Sequence, residues 1–176
     1  IVEKEFKGDI AFKDVWFAYN EPTYVLKGIN FSLSPGETVA FVGATGAGKS
    51  SIINLLSRFY EYQKGEIIVD GDELRDIDID LIRENVAVVL QDVFLYSDTV
   101  LNNITLGDHS ISREKVIEAS KQVGAHEFIM LLPDNYDFVV GERGGMLSVG
   151  QRQLISFIRA YVYNPSILIL DEATSS

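Results

Sequence analysis

The segment GATGAGKS at positions 43–50 places two glycines, a lysine and a serine in the order G-x-x-x-x-G-K-S, with a third glycine, Gly46, between them. Glycines let a backbone curl until successive N–H groups converge, and converged N–H groups hold phosphate oxygens. In such a loop Lys49 reaches the β- and γ-phosphates, and the Ser50 hydroxyl is a magnesium ligand. Gly43, Ala44, Thr45, Gly46, Ala47, Gly48, Lys49, Ser50 and Ser51 are therefore the candidate phosphate contacts. The flanks agree with this chemistry. TVAFVG at 38–43 is a short, almost wholly apolar run, the pattern of a strand buried on both faces. SSIINLLSRFY at 50–60 has apolar residues at helical spacing, so a helix N-terminus would face the anion. A chance glycine-rich turn would rarely bring both flanks with it.

A second segment has similar chemistry. LSVGQ at 147–151, within GERGGMLSVGQRQLISFIRA, carries glycine and serine and opens onto a helical pattern. It is a second anion-binding turn in a chain that already has a better one. A third segment, LILDE, places Asp171 and Glu172 just past the apolar run SILIL at 166–170. In parallel α/β sheets, ligands bind beyond the carboxyl ends of the strands. An aspartate there holds magnesium, and the adjacent glutamate polarises a water for in-line attack on a γ-phosphate. Alone, the pair is equally well an acidic helix cap. Beside a phosphate loop, catalysis is the favoured reading.

These segments need elements to position them. IAFKDVWFAY (10–19), INFSLSPGE (29–37), GEIIVDG (65–71) and VAVVL (86–90) read as strands, with SILIL as the last. Helical patterns cover 50–60, 100–132 with Ser112 as the N-cap of REKVIEASKQV, and 151–163. Buried apolar strands alternating with helices predict an α/β fold with a mostly parallel sheet. The alternating strands at the N-terminus read as an antiparallel β subdomain, and about 94–150 as an inserted helical subdomain.

The chain has 176 residues, 47% apolar and 23% charged, enough for one real core. A net charge of −11 argues against nucleic acid as a partner. The absence of cysteine excludes disulfides and thiolate metal sites. No apolar run reaches bilayer-spanning length.

Four features in order, GATGAGKS, the glutamine of VVLQD, LSVGQRQ and LILDEATSS, resemble the nucleotide-binding domain of ATP-binding-cassette (ABC) transporters. The resemblance covers essentially the whole of 1–176, read as a single domain whose C-terminal part lies beyond it. It implies a phosphate-loop NTPase core that binds ATP and Mg2+ and hydrolyses ATP. It implies that Tyr19 in VWFAYN stacks on adenine, that Gln91 senses magnesium and the attacking water, and that Asp171 and Glu172 are the metal-site aspartate and the general base. GERG at 141–144 resembles the exporter-type loop that touches the coupling helices of a transmembrane domain. The resemblance implies a head-to-tail pair of such domains at the cytoplasmic face of a membrane. Ser148, Gly150 and Gln151 would then serve the partner's ATP, which accounts for the second anion turn.

One residue departs from the family's usual LSGGQ turn: Val149 stands where the first glycine does. A position needing positive φ would strain valine there, and otherwise Val149 merely narrows the turn. The departure keeps open an alternative, a regulatory ATP-binding half of a heteromeric transporter with little hydrolysis of its own. Missing C-terminal elements lead to the expectation that 1–176 alone binds ATP but turns it over poorly. Among other candidates, a calcium loop starting at Asp76 fails, with Leu81 and Ala87 at the glycine and glutamate positions. His109 and His126 lack ligand-spaced companions. FLYSD at 94–98 is either core or a face toward a membrane-domain helix.

Overall fold

The computed structural model describes residues 6–90 and 92–171. The chain divides into two compact units, Ile1–Ala87 and Val88–Ser176. The first holds strands β1 (Ile10–Phe17), β2 (Leu26–Leu33), β3 (Lys64–Val69) and β4 (Asp72–Glu73), with helices α1 (Lys49–Leu56) and α2 (Ile79–Asn85). The four strands form one sheet in the order β2-β1-β3-β4, and every adjacent pair is antiparallel.

β1 shows why the alternation in its sequence is loose. Ile10 and Phe12 face the core; then Asp14, at φ 47, interrupts the register, and Val15 and Phe17 take over the buried face. Such a bulge adds one residue to one strand and shifts its side-chain parity. The neighbouring strand accommodates it through Gly65, where an added Cβ would lie 2.2 Å from the Asp14 carbonyl oxygen. No other residue type fits there.

The strand expected over 38–43 is not formed. Among the described residues this stretch joins no ladder, and Val42 is 94% exposed. Phe41 keeps an edge contact with Phe31, with ring centroids 5.1 Å apart. The four-stranded antiparallel sheet is the β subdomain expected at the N-terminus, whereas of the mostly parallel sheet expected beside it the described residues form only the two-stranded pair described below. The physical reason lies in the signal used. An apolar run reports a demand for burial, but a parallel strand forms only where distant partners supply hydrogen bonds along its edges.

The second unit contains helices α3 (Val100–Thr105), α4 (Arg113–Gln122), α5 (His126–Met130) and α6 (Val149–Tyr163). Strand β5 (Val86–Val89), at the unit boundary, pairs with β6 (Ile167–Leu170) in a two-stranded sheet. β6 alternates in burial: Ile167 is buried while Leu168 and Leu170 are about half exposed. A lone ribbon covers one face only, so the two-sided burial expected of this strand is not met.

The helices enclose a core of Leu95, Val100, Ile104, Val116, Ile129, Tyr136, Ile155 and Ile158. α6 supplies Ile155, Ile158 and Val162, at i, i+3 and i+7, as one apolar stripe. Ser112 caps α4 by accepting from the Lys115 N–H at 3.2 Å, as its sequence position predicts. Asn103 is fully buried, and its amide bridges the Tyr96 N–H and the carbonyls of Tyr96, Asp98 and Thr99. Arg159 donates to the carbonyls of Phe94 and Asn103. These bonds hold 94–99 so that its apolar side chains divide between core and surface. Leu95 is core, while Phe94 and Tyr96 point outward and meet edge to face at 5.1 Å.

Candidate functional site

The glycine loop precedes α1, and its conformation follows from two glycines. Gly46 has φ 83 and open space around it, so backbone conformation alone calls for glycine there. Gly48 has φ 92, and an added Cβ would meet Leu26 Cδ2 at 2.6 Å. There both conformation and close packing against the start of β2 exclude a side chain. The Ala47 N–H closes a turn onto the Ala44 carbonyl at 3.1 Å. Lys49 Nζ donates to the Gly43 carbonyl and, at 3.0 Å, to the Ala44 carbonyl. Its charge is thus held at the loop it closes. The N-terminus of α1 carries no side-chain cap. The Ser51 and Ile52 N–H groups both donate to the Gly48 carbonyl, at 3.1 and 3.2 Å, so the Lys49 and Ser50 N–H groups ahead of them are the ones that suit an anion. The exposed Ser50 hydroxyl stands in the same turn.

This donor set fits a polyphosphate: a lysine ammonium, a hydroxyl and an uncapped helix start on one loop. Magnesium also suits the Ser50 oxygen, since that ion takes hard oxygen ligands and keeps several waters.

Tyr19 is brought to the same helix. Its hydroxyl lies 3.1 Å from Ser51 Oγ and accepts from Asn54 Nδ2 at 3.0 Å. Ser51 is buried and Tyr19 is 42% exposed, so the ring is fixed at its tip and open at its side. An aromatic with an accessible surface beside a phosphate loop can stack on a base.

In the second unit, the LSVGQ turn begins α6. Ser148 Oγ accepts from the Gln151 N–H at 3.2 Å, and Gln151 Oε1 accepts from the Ser148 N–H at 2.9 Å. This is a capping box. Gln151, expected as a ligand contact, has its carbonyl oxygen engaged in that cap. Ser148 keeps its O–H free to donate, because its bond to Gln151 uses only an acceptor lone pair. Val149 is the first helical residue and does not have positive φ. Valine is therefore unstrained, and the strain reading of this departure is not met. At Gly150 an added Cβ would approach only Ser148 Oγ, at 4.0 Å. Arg152 donates to the Leu147 carbonyl at 2.8 Å and braces the turn from behind.

Asp171 follows β6, and its N–H donates to the Val89 carbonyl at 2.9 Å, tying it to β5. The expectations for Gln91 and Glu172 lie outside the described residues. Among the described residues no cluster of histidine and carboxylate side chains could hold a metal by itself. His126 instead pairs its Nδ1 with the buried Tyr136 hydroxyl at 2.8 Å, a structural role.

Sequence reasoning missed Asn54, Tyr60 and Gln63, which all act on or near Tyr19. Asn54 was findable in principle, since it lies three residues after Ser51 and so on the same helical face. Tyr60 and Gln63 sit beyond the helix, where no periodicity reports direction.

A glycine loop closing onto a helix, with a tethered aromatic beside it, defines a phosphate-loop nucleotide-binding domain of α/β class. This chain belongs to the ABC transporter family, whose model matches residues 26–175. It is 47% identical over 170 residues to an ATP-dependent lipid A-core flippase of Saccharophagus degradans, covering 97% of this chain and 29% of that protein. It is 49% identical over 171 residues to a putative multidrug export ATP-binding/permease protein of Staphylococcus aureus, covering 97% of this chain and 30% of the relative. The chain thus spans under a third of the length of these curated relatives. Among solved structures, a bacterial Atm1-family ABC exporter with ATP bound superposes with a TM-score of 0.90 at 39% identity, covering 97% of this chain and 30% of the exporter. The fold is that of an ABC exporter's ATPase domain. Among the described residues, no helix is long and apolar enough to cross a membrane.

Proposed function

We propose that this chain is the ATP-binding and ATP-hydrolysing domain of an exporter-type ABC transporter. It powers transport by pairing head to tail with a second such domain when ATP is bound. The observation that carries this reading is the bond between the Tyr19 hydroxyl and Ser51, on the helix that Lys49 opens. It joins a base platform to a phosphate loop. The whole of 1–176 then belongs to one nucleotide-binding domain at the cytoplasmic face of the membrane, with coupling helices of a transmembrane domain as its other partner.

In this account Tyr19 stacks on adenine and residues 43–51 bind the phosphates. Lys49 neutralises the β- and γ-phosphates. Ser50, Asp171 and Gln91 would be the residues that hold magnesium, and that ion would supply neutralisation of the phosphate charge. Glu172 takes the proton of the attacking water. Ser148, through its free O–H, and the Gly150 N–H donate to the γ-phosphate of the partner domain's ATP; Gln151 fixes Ser148 for that role. Because Val149 adopts helical backbone, the altered turn gives no reason to prefer a regulatory half with little hydrolysis.

The test is single-turnover ATP hydrolysis by the full-length transporter with Glu172→Gln. The variant is expected to bind ATP normally and to hydrolyse at least about a hundredfold more slowly, the lower end of what a positioned acid–base group contributes. Hydrolysis at the wild-type rate would remove Glu172 as the base.

A further inference from the structure

The Tyr19 ring is held on every side that its neighbours can reach. Its tip hydroxyl is bonded to Ser51 and Asn54. Phe17 meets the ring edge to face at 4.7 Å and 77°. Tyr60 meets it at 4.9 Å and 89°. The main chain just before it is clamped as well: Gln63 accepts from the Ala18 N–H at 2.8 Å and donates to the Ala18 carbonyl at 3.1 Å. Phe17 is buried core, but Tyr60 is 47% exposed and Asn54 is half-buried. Tyr60 also meets the buried Phe17 ring, at 5.8 Å and 62°. Tyr60 and Asn54 converge on a single exposed ring.

We propose that Tyr60 and Asn54 are positioning residues that hold Tyr19 as the base platform, and so set affinity for the nucleoside part of the nucleotide separately from its phosphates. The proposal rests on the nucleotide-binding reading above. A stacking ring that swings freely loses rotamer entropy when a base arrives; a ring held in place does not, and the difference appears as affinity. Edge-to-face aromatic pairs prefer one geometry, which lets Tyr60 fix the tilt of the Tyr19 ring. Asn54 fixes the position of the ring's tip through the hydroxyl, which limits the swing of the whole ring. The chemistry recognised is a planar nucleobase. Stacking of this kind reads any base through its π-face, so the effect belongs to the presence of a base and not to its hydrogen-bonding edge.

The test compares two ligands on the full-length transporter: Mg-ATP, and Mg-tripolyphosphate, which carries the phosphates without the nucleoside. Tyr60→Leu and Asn54→Ala are expected to weaken ATP binding about two- to tenfold, the worth of one aromatic contact or hydrogen bond. Tripolyphosphate binding should stay unchanged, and Tyr60→Phe should restore ATP binding because it keeps the ring. A merely structural role for these residues would lower both affinities together, and that result overturns the proposal. So would variants that bind ATP as tightly as wild type. If the wild-type transporter binds neither ligand, the nucleotide reading itself falls and this proposal with it. If it binds tripolyphosphate normally while the variants show no loss for ATP, only the positioning role falls.

Discussion

Ser148 and Gln151 cap each other at the start of α6, with side-chain-to-backbone bonds of 3.2 and 2.9 Å running in opposite directions. The residues expected to meet a neighbour's phosphate are thus also the residues that start their own helix. A site made this way is pre-organised, because the helix N-terminus is fixed before any ligand arrives. Ser148→Ala removes one half of the box and should cost about 1 kcal/mol of stability. Chemical denaturation of wild type and variant measures this, and an unchanged midpoint would show that the cap carries no weight.

Val149→Gly tests whether the departure in this turn matters. Because Val149 already has helical backbone, glycine relieves nothing there. ATPase activity of the full-length transporter is expected to stay within about twofold, with stability lowered by up to about 1 kcal/mol through backbone entropy. A severalfold rise in activity would mean that valine obstructs the partner's nucleotide after all.

The clearest steric requirement in the phosphate loop is at Gly48. Gly48→Ala meets both a positive φ of 92 and the Leu26 side chain at 2.6 Å. Backbone strain of this kind costs about 1–3 kcal/mol. The variant should melt lower and bind ATP more weakly, whereas Gly46→Ala, with φ 83 but open surroundings, should show strain alone. Equal effects at the two positions would argue against the packing contact with Leu26.

A pH dependence is expected from Asp137. Arg113 holds it with two hydrogen bonds, 2.9 and 2.8 Å, and draws its pKa below the ordinary 3.8. The ionised carboxylate is the form that the folded state favours. The unfolded chain therefore takes up this proton first as pH falls. The stabilisation is fully present above the ordinary value and is lost as pH drops through the lowered one. Both side chains are largely exposed, so salt should weaken the effect. Melting temperatures of wild type and Asp137→Asn should differ at neutral pH and converge in strong acid. A gap that persists at low pH would assign the difference to something other than this charge.

Much of the local structure was legible because local rules wrote it. The Ser112 cap, the LSVGQ helix start and the glycine loop each depend on residues a few positions apart, and each formed where the sequence predicts. The bulge at Asp14 was visible only as an irregularity in the alternation from Ile10 to Tyr19. The expectation over 38–43 failed because apolar residues state that burial is wanted, not which strand will lie alongside. In the site, Lys49, Ser50 and Tyr19 were readable from motif and resemblance. Asn54 shares a helical face with Ser51, but the support of Tyr19 by Tyr60 and Gln63 was not readable, since it depends on how the chain after α1 folds back onto the end of β1.

The central claim is that the loop holding Lys49 binds the phosphates of ATP. Titration calorimetry of Mg-ATP into the full-length transporter, wild type against Lys49→Ala, tests it most directly. Losing a charge-assisted contact of this kind should weaken binding by at least about tenfold. The account predicts that loss; an unchanged affinity in the Lys49→Ala variant would contradict it.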